Sequence, residues 1–257
     1  MKERTLARYC LFLLLITNCV CVTAQAQFPA VSAYSDSVLF AAYLHSDMHV
    51  WDSYLHSENF DSVPVREQLR YLSYEYGYVA FAIDMKAPDA QKHLADYGSH
   101  IAALEAVLPP ATTLTYQSAY AAYEAKTGWN FLGKALTSYT LAQQAYKTDA
   151  DNPLVLTLKG NIDFYSPKAF GGDKERALCF FRLAQEKYEN TGDTLTNWNY
   201  AATRLCIVQC EDKSGNVKKA LKLADVLLRT FPDFVYLRDE YIPDLTERSK
   251  TSHNSKK

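Results

Sequence analysis

Apolar positions recur along this chain at helical spacing, and alternation of the strand kind never runs beyond four residues. Val38, Leu39, Ala42, Val50 and Leu55 form one stripe, and Leu69, Leu72, Tyr76, Val79 and Ile83 form the next. Leu94, Ala95, Ile101, Ala102 and Leu108 make a third. Residues three, four and seven apart share one side of an α-helix, so each stripe predicts a helix with a buried face. The punctuation agrees. Pro64 and Pro88-Asp89 open helices, Pro109-Pro110 closes one, and Pro153 starts another after Asn152. The expected helices run over about 36–56, 64–83, 88–108, 112–126, 131–146, 153–165, 173–188, 195–210, 215–231 and 234–248. The fold class is therefore all-α, with about ten helices.

A second period lies above the helical one. Ala95 is followed by Ala102, Ala135 by Ala142, Ala177 by Ala184 and Ala220 by Leu227, each seven residues on, and the units step by 40, 42 and 43 residues. Such a period marks a repeat architecture, whose units cannot bury their apolar faces alone and must stack. Small residues let paired helices approach, while Tyr139, Phe181 and Leu223 beside them are expected to fill the grooves. The predicted arrangement is a solenoid of helical hairpins with a concave face built mainly from the first helix of each pair. Surfaces of this kind hold partners.

The residues carry a family resemblance. The segment GNVKKALKLADVLLRTFP, Gly215 to Pro232, resembles the second helix of a tetratricopeptide repeat, with Gly215, Ala220, Leu227 and Pro232 at the pattern positions. Gly172, Ala177 and Ala184 fit the same pattern, with Glu189 where the Pro would stand; Asn130, Ala135 and Ala142 fit more loosely, and the Ala95 unit is more degenerate. The match spans roughly two-thirds of the expected mature chain. The stretch LKGNIDFYSPKAFGGDKERALCFF, with its long Ser166 to Gly172 loop, is similar to uncharacterised exported tetratricopeptide-like proteins of the Bacteroidetes. Those proteins tend to continue, as here, with an Asn-Trp helix (Asn197, Trp198) and an ending like Asp233 to Pro243. A similar Gly-Gly-Asp loop occurs in the periplasmic tetratricopeptide subunit of some substrate-binding-protein transporters. The resemblance implies scaffold and interaction roles and no reaction.

The N-terminus alters the picture of where the protein works. Lys2, Arg4 and Arg8 precede an apolar run from Tyr9 to Ile16, and Ala24-Gln25-Ala26 gives a small-x-small cleavage pattern. Residues 1–26 thus read as a signal peptide, 27–248 as the repeat domain, and 249–257 as a polar, basic, disordered tail. An uncleaved anchor is disfavoured because a span needs ~20 apolar residues. Lipidation at Cys19 or Cys21 is a third route to the envelope, although Asn18 and Val20 are poor neighbours for it. The expected location is the periplasm or cell envelope, with no membrane span after cleavage. A net charge of -2 excludes the basic face that nucleic acid requires. Of the cysteines left after cleavage, Cys179 bridges Cys206 or Cys210, or all three are small buried apolar groups.

Three features bear on chemistry. Gly171-Gly172-Asp173 could cradle an anion, but an aspartate at the cap fills the free amides itself, so a capping turn is expected. His45, His49, Asp52 and His56, spaced 4, 3 and 4, fall on one stripe of the first helix, and His93, Asp96 and His100 repeat the idea on the third. These are metal-ligand types. No His-Glu-x-x-His arrangement accompanies them, so the simpler expectation is a solvated polar face, with no metal and no cofactor. Tyr71, Tyr74 and Tyr78, and Tyr116, Tyr120 and Tyr123, form stripes expected mainly to pack between helices, with a minority facing the groove. No nucleophile elbow, phosphate loop or dinucleotide fingerprint occurs, so no enzymatic activity is expected. The expected function is that of a scaffold binding a protein or peptide partner, with Lys159, Asn161, Tyr165, Trp198 and Tyr200 as candidate contacts. The alternatives are a ligand-binding accessory subunit of an uptake system and, third in order, a metal-binding protein or metal-dependent enzyme that uses the histidine stripes.

Overall fold

The computed structural model describes residues 34–254 apart from 58 and 129, and within them it is all-α, with no strand. The signal segment, Cys19 and Cys21 lie outside the described residues. Eleven α-helices follow in order: α1 (Asp36–Leu44), α2 (Met48–Leu55), α3 (Val65–Asp84), α4 (Ala90–Leu104), α5 (Pro110–Thr127), α6 (Phe131–Thr148), α7 (Pro153–Tyr165), α8 (Lys174–Thr191), α9 (Trp198–Lys213), α10 (Val217–Thr230) and α11 (Ile242–Asn254). One π turn, Tyr236–Tyr241, leads into α11. That helix continues to Asn254, past the point at which a disordered tail was expected. None of the described helices is long and apolar enough to cross a membrane.

The helices pair as short-looped hairpins, α3 with α4, α5 with α6, α7 with α8 and α9 with α10. Each second helix packs on the next first helix, and α3, α5, α7 and α9 also touch in succession. The small residues behave as the seven-residue spacing predicts in the last two units, while in α6 Ala142 is buried and Ala135 only half so. Ala142, Ala177, Ala184, Ala220 and Leu227 are all essentially buried. In α4 the prediction fails, because Ala95 and Ala102 face solvent. That helix buries Ala90, Leu94, Tyr97, Ile101 and Leu104 instead. These positions also repeat at seven, so period alone does not decide which register is inward. Among the expected groove fillers, Phe181 is buried, Leu223 partly so, and Tyr139 exposed.

The expected first helix is in fact two. Ser46 adopts a left-handed conformation, φ 59°. Its N–H bonds the Tyr43 carbonyl at 3.1 Å, and the Asp47 N–H bonds that of Ala42 at 2.8 Å. This double closure is a Schellman stop, usually built on Gly, and a serine there leaves no signal in the sequence. The break matters for the whole architecture. It lets α1 reach the residues that follow α10 while α2 packs on α3 and the start of α9. Phe40 meets Phe231 at 5.3 Å between ring centroids, Tyr43 meets Phe234 at 5.6 Å, and Trp51 meets Tyr74 at 5.0 Å and Trp198 at 5.3 Å. The Trp51 indole N–H donates to the Leu39 carbonyl at 2.7 Å, locking the two short helices together. Trp198, at the start of α9, also reaches back to α3: a Cβ built on Gly77 would lie 2.8 Å from it and 2.8 Å from Trp51. Only glycine permits that approach.

Candidate functional site

The five candidate contacts do not form one exposed surface, which corrects the expectation. Lys159 is 4% exposed, with its ammonium 5.5 Å from the Tyr139 ring centroid and 5.4 Å from that of Phe180. Burial pulls its pKa down, and the neighbouring Asp163 works against that shift. Asn161 is half-buried, 3.9 Å from the Cys206 thiol. Tyr200 is buried and its hydroxyl donates to Glu189 at 2.8 Å. Trp198 sits among Tyr43, Trp51 and Tyr76, with its indole nitrogen buried and unpaired. Tyr165 alone among the five is exposed. The chain's own α1 supplies neighbours here: Tyr43 packs on Trp198, and Phe40 and Leu44 join the core that holds Tyr200. Leu39, Phe40, Ala42 and Leu44 are buried while Asp36, Ser37, Val38 and Ala41 are exposed, so α1 is buried over only part of its surface.

The tyrosine stripes are packing elements, as expected. Tyr71, Tyr74, Tyr78 and Tyr116 are buried, and Tyr120 and Tyr123 are half-buried. Their hydroxyls are used within the fold: Tyr123 donates to the Tyr76 carbonyl at 2.8 Å and Tyr74 to Asp36 at 3.1 Å. The Gly-Gly-Asp loop is also structural. Gly171 has φ 85°, and a Cβ on Gly172 would overlap the Ser166 carbonyl. Asp173 Oδ1 accepts from the N–H groups of Glu175 and Arg176 at 2.9 and 3.1 Å, capping α8. Arg176 then grips both Asp163 oxygens at 2.6 and 2.7 Å. All three cysteines are free, so neither bridge forms; Cys206 and Cys210 are buried and Cys179 is exposed. Burial pushes the Cys210 thiol up to about 12, which leaves it inert.

No family model matches the chain, and no curated protein or solved structure matches it.

The histidine stripe is not a stripe. His45 is the C-cap of α1 and His49 an exposed residue of α2, and neither joins the rest. Asp52 and His56, on the last turn of α2 and just beyond it, instead meet Asp89 and His93 at the start of α4. One ligand-type atom from each lies within 4.8 Å of all the others. His56 Nδ1 is 3.1 Å from Asp52 Oδ1, and His93 Nε2 is 3.4 Å from that same oxygen and 3.3 Å from Asp89 Oδ2. His93 is buried, its ring edge-on to Tyr78 at 4.8 Å and to His56 at 5.1 Å. The other members of the second stripe go elsewhere. Asp96 pairs with Lys92 at 2.6 Å. His100 bonds buried Glu75 at 2.9 Å and stacks on Phe60 at 3.7 Å. Sequence spacing singled out three of the four clustered residues, Asp52 and His56 on one stripe and His93 on the other, but not Asp89. It missed the meeting of the two sets, because that depends on how α2 docks on the first hairpin.

Proposed function

We propose that this chain is an exported helical-repeat scaffold that binds a protein or peptide partner in the periplasm or cell envelope. The observation that supports this best is the face of α6. Its buried residues are only Ser138, Ala142 and Ala145, whereas Phe131, Leu132, Leu136 and Tyr139 are exposed. Leu132, Leu136 and Tyr139 stand at i, i+4 and i+7, one continuous row along the helix. A row of large apolar side chains on a solvent-facing helix is what an interaction surface presents. The burial of Lys159 and Tyr200 moves the reading away from those candidate contacts and towards a partner laid on α6. The basic, apolar and small-residue order of residues 1–26 supports export.

The test is a photo-crosslinking residue placed at position 136 in the producing cell, with position 186 on α8 as the control site. A discrete adduct from position 136, absent at 186 and lost when Leu132→Glu is added, supports the reading. No adduct at position 136, or the same adduct from both positions, overturns it.

A further inference from the structure

We propose that Asp52, His56, Asp89 and His93 form a four-ligand site for a divalent transition ion of the zinc class, which staples α2 to the start of α4. The donor types fit: two imidazoles suit such an ion, and two carboxylates match its charge. The spacing fits as well. In a tetrahedral site with bonds of the usual zinc length, neighbouring ligand atoms stand about 3.4 Å apart. Three of the six separations are 3.1, 3.4 and 3.3 Å, and all six lie within 4.8 Å, so the ion needs only a small closure of the side chains.

Two further observations separate this arrangement from ordinary histidine–aspartate pairing. Asp52 Oδ1 is buried and makes no hydrogen bond, although two imidazole nitrogens stand within 3.4 Å of it. At Asp52 Oδ1 the two imidazole nitrogens stand at ligand distances without the directions that hydrogen bonds require, whereas His93 Nε2 and Asp89 Oδ2 are also hydrogen-bonded. Asp89 occupies the N-cap position of α4, where an aspartate normally accepts from the first amides, and it makes no such bond. Its carboxylate is turned to His93 instead. Outer support is present too, because the Tyr78 hydroxyl bonds the Asp52 carboxylate, the kind of contact that orients a ligand. His56 Nδ1 now lies 2.9 Å from the Asp52 carbonyl, and binding through it releases the proton held there. The ion would join the end of α2 to the start of α4.

The purified full chain, stripped with a chelator and dialysed, is titrated with Co(II), and Zn(II) is then used to displace it. One Co(II) per chain with the intense visible spectrum of tetrahedral coordination is expected, displaced by one Zn(II), with a raised melting temperature. His56→Ala and Asp89→Asn, both on the solvent side, should keep native helical content and bind at least about tenfold more weakly. His45→Ala and His49→Ala should bind as the parent does. Absence of stoichiometric binding overturns the proposal, as does unchanged affinity in the His56 and Asp89 variants. Loss of binding in the His45 or His49 variants does so equally, since it would put the ion elsewhere.

Discussion

The two ends of the hairpin array are built by different means. The first hairpin, α3 and α4, with α1 and α2 laid on it, packs large rings: Trp51, Tyr54, Tyr71, Tyr74 and Tyr97 are nearly inaccessible. The later hairpins close on alanines, with Ala177, Ala184, Ala201, Ala220 and Ala224 fully buried. Helix starts differ as well. From α6 to α9, each begins on an Asn or Asp whose side chain accepts from the first amides. From α2 to α5, none does. One half is specified by local sequence, through caps and small-residue spacing. The other is specified by tertiary packing of aromatic groups from distant segments.

The largest expected effect falls where the two ends meet. Trp51 is packed against Tyr43, Tyr74 and Trp198 and bonds the Leu39 carbonyl. Trp51→Ala should cost about 3–5 kcal/mol, the usual loss for a large ring removed from a core. Urea unfolding measures it, and hydrogen exchange should show faster exchange at the start of α9 as well as in α2. A loss confined to α2 would mean that the N-terminal helices are an appendage and not part of the core.

The next effect sharpens the contrast between registers. Ala177 lies against Phe164, Phe181, Cys206 and Cys210 with no exposed surface. Ala177→Phe should destabilise by about 1–3 kcal/mol or more, since overpacking forces backbone shifts. Ala95→Phe, at the matching position of the first unit, should stay within about 0.5 kcal/mol, because that side chain faces solvent. Equal losses in the two variants would restore one register to all four units.

These differences explain what could be read from the chain. Helix existence, the Pro64, Pro153 and Asp173 starts and the inward alanines of the later units are local signals, and they were legible. The Ser46 stop was not, because serine only occasionally takes a left-handed conformation. The inward register of α4 was hidden because two sets of residues share the same seven-residue spacing. The burial of Lys159 and Tyr200 and the packing of Trp198 against Tyr43 and Trp51 come from tertiary contacts that no local spacing announces. Once α1 and α2 fold back, aromatic groups more than a hundred residues apart become neighbours. The meeting of Asp52 and His56 with Asp89 and His93 has the same cause.

The smallest effect tests the capped half. Asp173 sits at the start of α8, and the hydrogen bond from the Arg176 N–H, followed by that from Glu175, holds its carboxyl below the usual range. A carboxyl lowered in the folded state contributes stability that is fully present above its unfolded pKa, near 3.9, and is lost as pH falls through the folded value. Asp173→Ala should therefore lower the melting temperature at neutral pH, with the difference from the parent shrinking as the carboxyl protonates below about pH 4. Asp173→Asn keeps the acceptor oxygen and should lose less, and its difference from Asp173→Ala should hardly change with pH, since neither side chain titrates. Melting curves of the three proteins between neutral and acid pH decide the point. If asparagine costs as much as alanine at neutral pH, the stabilisation comes from the negative charge at the helix start and the nearby guanidinium.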